Sequence, residues 1–269
     1  MGIVNDPDVK LLIFVVLVAG LAGAFWFFQD DILPPADEPV VEQTEVVSEV
    51  SPTSDGPAHP MAAPRQPALS DRKLVPLPPL DDSDSYFLLA LVDIFGADVE
   101  HLLVNEALID NVVATIDNLT RSHVAEKIRP VGRLSDPFVA DATGNDGIYT
   151  LNPDSYARYD LLVNLLVRAD LEFITETYRR FYPLFQASYR RLGYPVGYFN
   201  DRVVEVIDHL LVTPEPKDPI RLVRPHVLYE FADANLEALS SGQKLLLRVG
   251  VEHAAEVKRV LKEFRELIE

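Results

Sequence analysis

The sequence predicts a mainly α protein in three parts: one N-terminal membrane helix, a disordered proline-rich linker, and a helical globular domain with a small β-hairpin. Three observations carry this. Residues 11–28 are an uninterrupted apolar run, eleven of the 21 prolines fall between residues 29 and 80, and apolar side chains recur every three or four residues over most of the remainder.

The apolar run makes a helix of ~27 Å, close to the ~30 Å hydrocarbon core, with its backbone polar groups satisfied internally. Lys10 precedes it and no further Lys or Arg occurs until Arg65, so the positive-inside bias keeps residues 1–10 in the cytoplasm and exports the rest. Ala22-Gly23-Ala24 offers an alternative reading as a signal-peptide cleavage site. Phe25, Trp26, Phe27 and Phe28 favour the uncleaved anchor, because they extend the run to spanning length and supply interfacial aromatics. Gly20 with Ala24, and Ala19 with Gly23, are small-residue pairs of the kind that let two membrane helices pack as a homodimer.

Residues 29–76 combine proline with Asp37, Glu38, Glu42, Glu45 and Glu49 and lack apolar periodicity, which is the composition of a disordered tether. The formal net charge of −18 repels phosphate backbones and anionic lipid surfaces. Nucleic acid is therefore not an expected partner, and cationic ones fit better. The chain has no cysteine, which excludes disulfides, thiol catalysis and sulfur-ligated zinc.

Within residues 77–269 the elements follow in order. Asp84 and Ser85 cap a helix over 86–95 that stops at Gly96. Leu108, Val112, Ile116 and Leu119 mark a helix from 105 to about 123. Residues 138–142 and 148–151 flank a Gly-Asn-Asp-Gly turn, the pattern of a short hairpin. Asn152-Pro153 starts a helix that continues to Arg168, with a break expected near 158–160. Asp170 opens the longest pattern, to Gly193, in which Pro183 predicts a kink. A helix over 200–211 is followed by Pro214, Pro216 and Pro219, then by extended pieces at 220–223 and 227–231. Asp233 caps another helix, Ser240 with Gln243 forms a capping box, and Gly250 separates 244–249 from a final helix at 252–268.

Three clusters hold candidate chemistry. On the 200–211 helix, Asp201, Arg202, Glu205, Asp208 and His209 share one arc of ~120°, and a carboxylate beside a histidine suits acid–base work or a metal. The same arithmetic describes a solvated face with ion pairs, and no second histidine stands at ligand spacing, so no metal site is expected. Arg224, His226, Tyr229 and Glu230 surround a proline-directed turn, where an anionic group can bind. Nine aromatics between Phe173 and Phe199 read mainly as core, with Tyr194 and Tyr198 the least accounted for. The chain has no phosphate-binding loop, dinucleotide fingerprint, zinc-protease, serine-hydrolase or EF-hand motif. No cofactor is expected.

From residue 77 onward the chain resembles the bacterial family called domain of unknown function 3014. The resemblance is carried by Ala114-Thr-Ile-Asp-Asn-Leu119, Tyr156-Ala-Arg-Tyr-Asp160, Tyr182-Pro-Leu-Phe-Gln186, Gly197-Tyr-Phe-Asn-Asp-Arg202 with Val206-Ile-Asp-His-Leu210, Val223-Arg-Pro225, Leu228-Tyr-Glu-Phe-Ala-Asp233 and Ser241-Gly-Gln-Lys-Leu-Leu-Leu-Arg248, and it spans residues 77–267. It implies a bacterial protein with one N-terminal membrane segment and no established activity, and it transfers no catalytic residue. It also makes the exported side a periplasm, with the chain in the inner membrane. The expected role is a binding or scaffolding module that meets an envelope protein or polymer. The alternative is an enzyme of unrecognised class, with Asp201, Arg202, Asp208, His209, Arg224 and His226 converging on one cleft.

Overall fold

A computed structural model describes residues 56–64, 76–132, 138–144, 147–168, 170–216, 219–226 and 228–269. The expected anchor at 11–28, with its small-residue pairs, lies outside them. No helix among the described residues is long and apolar enough to cross a membrane.

The helical body begins with α1 (Asp84–Phe95) and α2 (Leu108–Asn118). Asp84 does not cap its own helix as expected. Its carboxylate instead accepts from Ala107 N and Leu108 N, both at 2.8 Å, and so caps α2 from across the fold. That cap holds Ala107 in the left-handed region at φ 49° and starts α2 three residues later than its apolar pattern predicts.

Strands β1 (Ala140–Ala142) and β2 (Ile148–Leu151) form the expected hairpin, but it does not stand alone. Further along, β3 (Arg221–Val223) and β4 (Glu230–Phe231) extend it into a four-stranded antiparallel sheet in the order β1-β2-β3-β4. Tyr149 lies opposite Leu222, and Leu222 opposite Phe231. The extended pieces expected at 220–223 and 227–231 supply strands over 221–223 and 230–231, which add to a hairpin that alone would bury too little to be stable.

Between the halves of the sheet run α3 (Asp154–Ala157), α4 (Asp160–Val167), α5 (Leu171–Arg191) and α6 (Phe199–Leu211). The break at 158–160 is present. Asp170 caps α5 through Glu172 N and Phe173 N, and the helix continues through Pro183 as one element. After the sheet come α7 (Ala234–Glu237), α8 (Ser241–Arg248) and α9 (Val251–Ile268), with the Ser240–Gln243 capping box intact.

The main core is a pile of rings from α1, α5, α6 and α9. Phe87 meets Phe181 and Phe185 at centroid distances of 5.0 and 5.5 Å, and Tyr178 joins Phe185 to Phe264. A smaller core of Leu151, Ile220, Leu222, Phe231 and Leu247 lies under the sheet. Gln186 pins the turn between α5 and α6 by donating to Gly197 O and accepting from Phe199 N.

Of the stretch expected to be a disordered linker, 29–76, one described part packs on this body. Residues 56–64 lie on the domain, with Met61 packed against the main core and two backbone amides held by Asp201. A proline-rich segment forgoes helix, yet its free N–H and C=O groups can still find side-chain partners.

Gly242 marks the tightest approach in the fold. A Cβ there would stand 2.7 Å from Leu210 Cδ2 and 3.0 Å from Leu119 O. Gly242→Ala ordinarily favours a helix, but here it overpacks a backbone contact and is expected to lower stability by ~1–3 kcal/mol. Denaturant unfolding of the variant measures the loss.

Candidate functional site

The carbonyls just past the end of α2 and the first amides of α8 have no partners within those helices, and the fold sets them against each other. Ser241 N donates to Arg121 O at 2.7 Å, and Gly242 N to Leu119 O at 3.0 Å. The negative end of one helix dipole meets the positive end of another. This junction also ends α2 at Asn118 rather than near His123, since the carbonyls beyond it serve α8.

Arg202 of α6 reaches into the same junction. Its Nε donates to Asp117 Oδ1 at 2.9 Å, and its Nη2 donates to Asp117 O at 2.6 Å and Thr120 Oγ1 at 2.7 Å. Its Nη1 pairs with Glu205 at 2.8 Å. Asp117 also accepts from Tyr194 OH and Arg121. The Asp117 and Arg202 side chains are only 5 and 14 % exposed, so this pair is interior and not part of a solvated face. Tyr194 is thereby accounted for: it stacks on Tyr189 at 4.5 Å and donates to Asp117.

The other polar residues of α6 each look toward a different element. Asp201 holds the 56–64 segment. Asp208 forms a two-point pair with Arg265 of α9, at 2.6 and 3.1 Å. His209 Nε2 lies 2.8 Å from Ser240 Oγ, the cap of α8, while Gln243 Nε2 donates to the His209 carbonyl. Asp208 and His209 are sequence neighbours with separate partners, so the candidate carboxylate–imidazole pairing does not form between them. Burial pushes the His209 imidazole below its usual range, and the Arg202 charge pushes it further the same way.

The second candidate cluster lies on the turn between β3 and β4. Arg224 stands over the Tyr229 ring at 5.4 Å, and Tyr229 meets Tyr149 edge-on at 5.0 Å. His226 is exposed, and Glu230 is a half-buried strand residue paired with Val223. Arg224 and Tyr229 are brought together. Among the described residues, no group of three or more His, Asp or Glu side chains is placed to hold a metal ion.

A concave surface that the sequence did not indicate lies between the helical body and the loop before β3. Tyr156, Pro214, Pro216, Ile220, Leu246 and Val251 line a cleft of about 240 Å³. Tyr156 and Val251 also wall a second cleft, of about 500 Å³, whose rim carries Asp160, Glu252 and His253. Gly250 shapes the wall: its φ of 89° and its contact with the Tyr156 ring, 2.9 Å from where a Cβ would stand, permit no side chain. None of the eight candidate residues Asp201, Arg202, Asp208, His209, Arg224, His226, Tyr229 and Glu230 lines either lobe. Tyr156 belongs to one of the strings that carry the family resemblance, but nothing in the sequence joins it to Val251, because the lobes are formed by segments about a hundred residues apart.

The family model described as "Protein of unknown function (DUF3014)" matches residues 108–265, more than half of the chain. The chain belongs to this family. The matched region contains the α2–α6–α8 junction and both lobes of the groove, and it leaves out the 56–64 segment. No curated protein and no solved structure matches the chain.

Two outcomes follow from the junction. Arg202→Ala leaves Asp117 buried without its main counter-charge and is expected to cost ~3–5 kcal/mol in equilibrium unfolding. Adding Asp117→Asn to it should cost far less than the sum of the two single changes. For His209, the folded state binds fewer protons than the unfolded chain once pH falls through the usual histidine range near 6.5. Stability should therefore fall as pH drops from about 7.5 toward 5. His209→Gln should flatten that part of the profile, as read by thermal unfolding at a series of pH values.

Proposed function

We propose that this family member is a membrane-tethered binding and scaffolding module of the bacterial cell envelope. Residues 11–28 anchor it in the inner membrane, the acidic linker spaces it from the bilayer, and the helical domain stands in the periplasm. The groove at Tyr156 and Val251 is the observation that carries the binding role. Its mainly apolar lobe, of about 240 Å³, suits one or two apolar side chains of a protein partner. The adjoining lobe adds Glu252 beside an Asp160–His253 pair at 3.1 Å, and Glu252 favours a basic residue next to the apolar anchor.

Support for a non-catalytic role comes from how the polar residues of α6 are used. Arg202 and Asp208 join helices as ion pairs, and His209 contacts the cap of α8. Such groups are held in place by the fold and are poorly free to exchange protons with a substrate.

A photoreactive residue at Val251, which is 55 % exposed, tests the assignment in intact cells carrying the full-length chain. The expected result is one discrete adduct with an envelope protein, absent when the same residue replaces Leu89 on α1. Adducts that are the same at both positions, or none at Val251, would contradict the proposal.

A further inference from the structure

The segment 56–64 is bound to the domain as a peptide ligand would be. Its sequence is Gly-Pro-Ala-His-Pro-Met-Ala-Ala-Pro, and its burial alternates: Pro57, His59 and Met61 are half-buried, while Ala58, Pro60 and Ala62 are exposed. The chain bends at Ala58 and His59, which turns two consecutive amides toward one carboxylate. Asp201, in the first turn of α6, accepts from two consecutive backbone amides, Ala58 N at 3.0 Å and His59 N at 2.7 Å. Asn200 Nδ2 donates to the His59 carbonyl at 2.9 Å and to Ile268 O at 2.8 Å, while Asn200 Oδ1 accepts from the buried Tyr178 hydroxyl. One carboxylate and one amide thus hold three main-chain groups, and Met61 fills an apolar site on the main core.

The receptor side of this contact is built into the domain without help from the segment. Tyr178 and the end of α9 orient Asn200, and α6 itself fixes Asp201. The ligand side is short, and Pro57, Pro60 and Pro64 narrow the shapes it samples before it binds. Main-chain recognition of this kind is identical whether the segment comes from the same molecule or another. Eleven residues, 65–75, join Pro64 to Pro76, and a chain of that length reaches up to ~36–40 Å.

We propose that the first turn of α6 is a peptide-recognition site, occupied in this structure by residues 56–64 in cis, and that it takes the same segment from a second copy of the chain in trans. Exchange conserves every contact, so only tether geometry and local concentration decide between the two forms. Two copies anchored side by side in one membrane meet that condition. The site is separate from the Tyr156 groove and does not depend on it, while the high local concentration in trans rests on the proposed membrane anchor.

Met61→Asp disables the ligand and leaves the receptor intact. Mixed with full chains carrying a photoreactive residue at position 61, a size-tagged Met61→Asp chain should form a mixed dimer adduct. Adding Asp201→Asn to the tagged chain should lower the yield at least tenfold. Adducts confined to single chains, or a mixed adduct that ignores Asp201→Asn, would overturn the proposal. A second measurement needs no substitution. Hydrogen exchange at the Ala58 and His59 amides of the unaltered chain should speed up at least fivefold under excess synthetic peptide 56–64, above the millimolar effective concentration of a short tether. Unchanged exchange would count against the site.

Discussion

The domain depends on how the open end of α2 is closed. A helix that stops inside a protein presents carbonyls which must be satisfied, and leaving them bare costs about as much as losing the hydrogen bonds themselves. Here the amides of Ser241 and Gly242 at the start of α8, the Arg202 guanidinium from α6 and the Ser241 hydroxyl all converge on residues 117–121. Three helices far apart in sequence are fixed at one point. The Asp117 carboxylate then does what a dipole argument disfavours, placing negative charge at a helix C-terminus, and Arg202 and Arg121 offset it. A buried pair of this type is weak evidence of added stability but strong evidence of a specified arrangement, because alternative packings leave the charge uncompensated.

From that point the remaining architecture follows by packing. Fixing α6 against α2 brings Phe199 onto Phe185 and Tyr189, and the ring pile extends through Tyr178 to Phe264 of α9. Fixing α8 carries Leu247 under the sheet, which links the small core to the large one. The groove at Tyr156 opens where these two cores meet, and it is kept open by a proline-rich loop on one side and by a glycine at φ 89° on the other.

Local chemistry makes most elements legible in the sequence. Caps at Asp170, Asp233 and Ser240, the glycines at 96 and 250, and the aromatic stripe of α5 all stand where spacing places them. Partnerships across long sequence distances are not legible. Spacing assigns Asp84 to the helix it begins, whereas it caps one 24 residues away. Periodicity gives the polar arc of α6 as a wet face, because it reports amphipathicity and not partners. The residues of that arc bind groups 85, 57, 31 and 142 positions distant. Composition likewise assigns residues 56–64 to a tether, since proline and alanine give no helical or strand signal. The alternation of Pro57, His59 and Met61 with smaller or exposed neighbours is present, but it has meaning only once a receptor surface exists.

Native-state hydrogen exchange at Ser241 and Gly242 is the most direct measure of this arrangement. First-turn amides of a helix ordinarily exchange through local fraying with little protection. If the α2–α8 junction organises the domain, these two amides open only with global unfolding, at the same free energy as the interior amides of α6. Exchange through an opening at least ~2 kcal/mol cheaper, with α2 and α6 still protected, would show that the junction is peripheral and that the core holds without it.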